Sequence, residues 1–223
     1  MAKLIATDLD SFTLPMEYFL DQMPSEVRDQ CTGLFNDKKD LFAKEKGSKR
    51  NHQAWGGGYG DHIVECLNIV TYLYAHLSAV RTLPFLLEEA LFVMYVHDLE
   101  KLYPDQVDNY EQNTGCTSKK AKKIVRESLY AQFGFSDYLE RNDHIRIALD
   151  TVEGENDLYS PNRRIMNELG ALCHCADTLS SRVWYAFPKT PSIPTTPTPD
   201  PRAPQPPVEG IETINGVHRQ YFG

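Results

Sequence analysis

The feature that most constrains this chain is an apolar run, Ala90-Leu91-Phe92-Val93-Met94-Tyr95-Val96, that ends directly on His97-Asp98. Seven consecutive apolar residues specify an element enclosed on all sides, and such an element must end on an imidazole and a carboxylate that are costly to bury. Groups of that kind are satisfied in a protein interior by a metal ion or a charged partner. The question for the remaining sequence is whether it supplies further ligands.

With 31 Asp and Glu against 23 Lys and Arg, the formal charge of -8 argues against a basic nucleic-acid groove as the main surface. The five cysteines form no disulfide-like framework and follow an N-terminus without an apolar signal core, so a reducing cytoplasm is the expected compartment. No run approaches 18 apolar residues, so no membrane span is expected.

The helical period dominates the chain. Residues 16–46 read as one or two amphipathic helices, with Pro24 starting the second. Asp61 is placed to cap a helix running to about Val80, which sets His62 in its first turn, at the edge of the glycine-rich stretch Trp55-Gly56-Gly57-Gly58-Tyr59-Gly60. A central helix is expected from Pro84 to Val96, a polar stretch to Asn113, a helix from Thr117 or Ser118 to about Gln132, and a short helix over 145–152. A last helix is expected from about Asn162 to Phe187, with Leu179, Val183 and Trp184 among its inward residues. Past Phe187 the chain turns to proline and threonine, the composition of an extended linker, before Ile211, Ile214, Val217, Tyr221 and Phe222. That last segment is expected to dock on the domain or on a neighbouring subunit, which would make a homo-oligomer. The expectation is an all-α fold divided as 1–49 (arm and packing helices), 50–187 (core), 188–210 (Pro-rich linker) and 211–223 (C-terminal segment).

The opening Thr7-Asp8-Leu9-Asp10 looks like the Asp-x-Asp loop of a haloacid-dehalogenase-type phosphatase. It carries one residue too many before Thr13, and the alternating strands and helices of a parallel sheet do not follow. An N-terminal arm is the better reading.

His62, His97, Asp98 and Asp177 lie on three expected helices and offer two imidazoles and two carboxylates, a set that suits a first-row divalent ion. Asp177 shares a helical face with Cys173 and Ser180, which points it inward. Cys173-His174-Cys175 cannot converge on one ion, because consecutive helical residues point about 100° apart.

The order His62, then His97-Asp98, then Asp177 resembles the HD-domain metal-dependent phosphohydrolase superfamily. The wording His52-Gln53-Ala54-Trp55-Gly56-Gly57 through His62 is similar to the loop before the first ligand in bacterial HD-type 3′-to-5′ exoribonucleases. Glu153-Gly154-Glu155 through Ser160-Pro161, followed by Cys175-Ala176-Asp177-Thr178-Leu179 and Arg182, resembles the distal half of that group. The similarity covers about residues 50–185. Where binuclear relatives carry further histidines, this chain has Cys116 and Val152-Glu153, which implies one tightly held ion per site.

The resemblance implies an HD-type helical bundle with a Pro-rich extension and metal-assisted hydrolysis of a nucleotide or similar small phosphoester or phosphoanhydride. The cofactor is a divalent cation, with Mn, Mg, Co, Fe, Ni and Zn not distinguished. Asp98 and Lys101 carry catalysis, Lys101 contacting phosphate as the family's Lys after the doublet does. His52 and Arg50 bind phosphate, His52 also as proton donor to a leaving group. Trp55 and Tyr59 are candidates to stack on a base, with core packing the alternative for Trp55, and Arg182 completes the substrate set. Two alternatives stand: a 3′-to-5′ exonuclease on short single-stranded nucleic acid, and a non-catalytic, metal-stabilised binding module.

Overall fold

The computed structural model describes residues 13–155 and 159–186, and over these the chain is all-α. The arm before Thr13, the Pro-rich linker and the C-terminal segment fall outside the described residues. In chain order the helices are α1 Met16–Leu20, α2 Arg28–Lys44, α3 Gly58–Val80, α4 Leu87–Val96, α5 Pro104–Thr114, α6 Ser118–Gln132, α7 Ser136–Arg141, α8 Asp143–Thr151 and α9 Glu168–Val183. A 3-10 turn, Leu99–Leu102, joins α4 to α5.

α4 is the axis of the fold. Every residue from Ala90 to Val96 is buried. Each larger apolar side chain so enclosed contributes about 1.5–3 kcal/mol relative to exposure. α3 packs along α9 and against α2 and α4, while α8 packs on α9. Phe92 meets the edges of Phe135 and Tyr138, at ring separations of 5.5 and 5.1 Å. On the other side Phe42 contacts Tyr59 and stacks on Tyr95, whose hydroxyl donates to the Cys31 carbonyl at 3.0 Å.

Several boundaries differ from expectation for identifiable reasons. α4 starts at Leu87, not Pro84, because the Glu89 carboxylate accepts the Leu86 N–H at 2.7 Å and fixes the first turn there. α2 starts at Arg28, four residues beyond Pro24. α3 starts at Gly58, preceded by Gly57 at φ 84°, a left-handed turn that only glycine adopts readily. Asp61 is therefore inside the helix, where it accepts the Trp55 indole N–H at 2.8 Å, and His62 sits one turn in and fully buried.

The polar stretch after Pro104 is helical: α5 buries only Val107 and ends at Gly115, φ 66°. α7, six residues long, buries Tyr138 and Leu139. α9 is shorter than expected. Glu155 Oε1 accepts the N–H groups of Ile165 and Met166, holding that stretch out of the helix, and Asn167 Oδ1 caps the new start through the Gly170 N–H at 2.7 Å. Its inward face is Leu169, Leu172, Cys173, Ala176 and Ser180, which leaves Leu179, Val183 and Trp184 exposed rather than in the core.

α3, at 23 residues, is long and apolar enough to cross a membrane by length and composition alone, a test that the core helix of a soluble protein also passes, and polar residues such as Asp61, Glu65 and Asn68 interrupt its apolar run. One of its faces, Ile63, Cys66, Leu67 and Val70, is fully buried in this fold.

Candidate metal centre

Three helices converge where α4 ends. α3 supplies His62, the α4 terminus supplies His97 and Asp98, and α9 supplies Asp177. His62 Nε2 lies 3.4 Å from Asp98 Oδ2 and 3.2 Å from Asp177 Oδ1. His97 Nε2 lies 3.3 and 3.7 Å from the same two oxygens. The four side chains thus point at one small volume, with both imidazoles and Asp98 almost wholly removed from solvent.

Hydrogen bonds on the outer nitrogens decide which face each imidazole turns inward. His97 Nδ1 donates to the Met94 carbonyl at 2.8 Å, so its Nε2 is the nitrogen turned to the cluster, and that buried atom makes no hydrogen bond. Ser180 Oγ donates to Glu65 Oε2 at 2.7 Å and accepts from His62 Nδ1 at 2.9 Å, which leaves His62 Nε2 as the inward lone pair. Gln53 braces this relay, its amide donating to Glu65 Oε2, the Ser180 carbonyl and Ser180 Oγ. Gln53 itself is held at φ 45°, with its N–H on the Tyr185 carbonyl.

The electrostatics favour a cation. Burial alone pushes the His97 pKa down, but Asp98 and Asp177 outweigh it and bring it up to about 10. Burial likewise raises the two carboxyls, and it is overcome at Asp98 by Lys101 and His97 and at Asp177 by the two imidazoles, so both stay well below the ordinary range. A divalent ion satisfies the same field with ligand atoms of the right kind, and a buried, unbonded Nε2 beside two carboxylates fits that use.

The cluster also contains Cys66, one turn beyond His62. Its Sγ is 3.8 Å from both His62 nitrogens, and with His62, His97 and Asp177 it offers ligand atoms mutually within 4.8 Å. Its i, i+4 spacing from His62 was the available sequence signal. Glu65 was not legible, because its role passes through Ser180.

Other expected site residues divide clearly. Lys101 Nζ hydrogen-bonds Asp98 Oδ2 directly, which puts its ammonium at the cluster. His52 is beside it, its ring 5.4 Å from that of His62 and its Nδ1 donating to Gln53 Oε1 at 2.6 Å. Burial and the nearby Lys101 ammonium lower the His52 pKa. Tyr59, expected as a stacking platform, is fully buried between α2 and α3 against Phe42, so its ring cannot reach a ligand. Trp55 is half-buried and tied to Asp61. Arg50 and Arg182 are exposed and make no ion pair among the described residues.

Glu100 is buried and faces Arg126 at 3.4 Å, and Arg126 also bonds Glu153 Oε1 at 3.1 Å and the His97 carbonyl. Burial raises the Glu100 carboxyl despite Arg126. Glu153 joins this group, its oxygen within 4.8 Å of ligand atoms of Asp98 and Glu100. Cys173 is buried, His174 bonds the Val152 carbonyl and Cys175 is exposed, so that triplet forms no cluster.

No family model, curated protein or solved structure matches this chain.

Proposed function

We propose that the chain is a metal-dependent phosphohydrolase of the HD type, acting on a nucleotide or a similar small phosphoester or phosphoanhydride. The observation that carries the reading is the pair of inward Nε2 atoms, His62 and His97, set against Asp98 and Asp177 at 3.2–3.7 Å. These four would hold the ion, with Cys66 adjoining. The chemistry such an ion supplies is Lewis-acid polarisation of a phosphoryl oxygen and a lowered pKa for a coordinated water.

The chain's own groups supply the rest. Lys101, held beside Asp98, offsets negative charge that develops on a phosphoryl group. His52, with its Nδ1 proton committed to Gln53 and its pKa lowered, presents a neutral imidazole suited to taking a proton; this favours a proton-accepting role over the donor role expected from sequence. Arg126 fixes the His97 backbone through the carbonyl.

The test is a panel of nucleotides and short oligonucleotides incubated with Mn²⁺ and again with chelator. Chelator-sensitive release of phosphate or nucleoside supports the reading, and Asp98→Ala abolishes it. Stepwise shortening of the oligonucleotides in preference to nucleotide turnover favours the exonuclease. Absence of turnover on every substrate leaves the metal-stabilised binding module.

A further inference from the structure

α6 carries a charge pattern that hydrolysis at the metal centre does not use. Its buried face is Ala121, Val125, Leu129 and Tyr130. A second stripe, Lys119, Lys122, Lys123 and Arg126, recurs at i, i+3, i+4 and i+7, which aligns four cations along one side. With Lys120, the segment 119–126 holds five of the chain's 23 Lys and Arg, in a molecule whose net charge is -8.

The stripe lines a cavity of about 420 Å³. The facing wall is Arg146, Leu149, Asp150 and Glu153, at the same helical spacing along and just beyond α8, and Leu139 of α7 contributes an apolar surface. The lining is mixed in sign, with Glu127, Glu140, Asp150, Glu153 and Glu155 beside the six Lys and Arg side chains, so what marks a ligand position is which cations are left unpaired. Lys123 is matched by Asp150 at 2.7 Å, and Arg126 by Glu153 and Glu100. Lys122 and Arg146, on opposite walls, have no anionic partner among the described residues. The volume lies within the roughly 300–1,000 Å³ of small-molecule sites, and a nucleic-acid backbone would instead require a basic groove running on across an acidic surface.

We infer that the cavity between α6 and α8 is a binding site for a polyphosphate chain, held by Lys122 and Arg146 with the neighbouring lysines, while the half-buried Leu149 receives any attached ring. None of His62, His97, Asp98 and Asp177 lines it, so the inference goes beyond the hydrolase reading and does not depend on it. The ligand chemistry is common to free polyphosphate and to nucleoside polyphosphates.

Calorimetric titration of the metal-stripped full chain tests this, with sodium tripolyphosphate, ATP and a short oligothymidylate as probes. Tripolyphosphate binds the wild type, Lys122→Glu and Arg146→Glu each weaken it about tenfold or more, and Asp98→Ala binds as the wild type does. Thermal melts of the two charge reversals, both at solvent-accessible positions, show that the fold is kept. Tighter binding of ATP than tripolyphosphate identifies a nucleotide as the source; equal binding identifies free polyphosphate. The inference is overturned if tripolyphosphate does not bind, if both charge reversals leave its affinity unchanged, if Asp98→Ala removes it, or if the oligonucleotide binds more tightly than either small ligand. A protein that binds in the cavity yet hydrolyses nothing would sink the hydrolase reading alone.

Discussion

His62 and Glu65, three residues apart on α3, are joined through a residue on another helix: Ser180 Oγ accepts from the imidazole at 2.9 Å and donates to the carboxylate at 2.7 Å. The relay fixes the tautomer of His62, and a ligand imidazole without its outer partner binds metal more weakly. Ser180→Ala should therefore lower Mn²⁺ affinity about 10–100-fold while leaving the far-ultraviolet circular dichroism unchanged. Unchanged affinity in a calorimetric titration would show that His62 needs no such orientation.

Arg126 and Glu100 make a second pairing whose removal has a definite sign. Glu100 is 1% exposed, so Arg126→Met leaves a carboxylate buried without its counter-charge and should destabilise the protein by about 3–5 kcal/mol in urea denaturation. Adding Glu100→Met should return most of that loss, since an apolar pair of similar volume has no desolvation penalty. A double variant no more stable than Arg126→Met would mean that the arginine acts through the His97 carbonyl instead.

Close approach makes Gly58 irreplaceable. A Cβ there would lie 2.0 Å from the Gln53 carbonyl oxygen, a backbone atom that cannot swing aside. Gly58→Ala should cost about 1–3 kcal/mol by displacing the loop, and because Gln53 braces both Ser180 and Glu65 it should weaken metal binding as well. Wild-type values in both assays would show that the loop moves without consequence.

Metal-stripped protein should lose stability as pH rises above neutrality. The folded-state pKa of His97 is about 10 against an ordinary 6.5, so the folded chain holds a proton that the unfolded chain releases between those values. The stabilisation is complete below about pH 6.5 and vanishes as pH climbs through about 10. Saturating Mn²⁺ should flatten the profile, since the ion takes the place of that proton. A melting temperature of the stripped protein that stays level over this range would contradict the charge balance proposed for the cluster.

What the sequence could reveal follows from which forces leave a periodic trace. The 90–96 run, the cap at Thr117 and the helical spacing of the apolar residues in α3 and α9 mark helices directly, and they place His62, His97, Asp98 and Asp177 at helix ends or on inward faces, although the Asn167 cap that starts α9 went unread. α5 and α7 escaped because one is nearly all polar and the other too short for a period to register. Tyr59 looked like part of a ligand-binding loop because glycines surround it, yet those glycines begin a helix and draw the ring inside. The polar network has no local signature: Gln53 and Ser180 are 127 residues apart, and neither residue type announces a buried partner. Ser180, not the larger Leu179, faces inward on α9 because the register is set by Leu169, Cys173 and Ala176.

The way α4 stops has its own consequence. No glycine follows it to turn the chain, and its last carbonyls are met from α6 instead, Val96 by the Tyr130 hydroxyl and His97 by the Arg126 guanidinium. Both carbonyls are buried, and the negative end of the α4 dipole is met by a hydroxyl and a cation of α6 rather than by solvent. The end of this helix is thus held by a distant segment of the polypeptide, so the backbone that carries His97 and Asp98 is anchored from α6 rather than by a local turn.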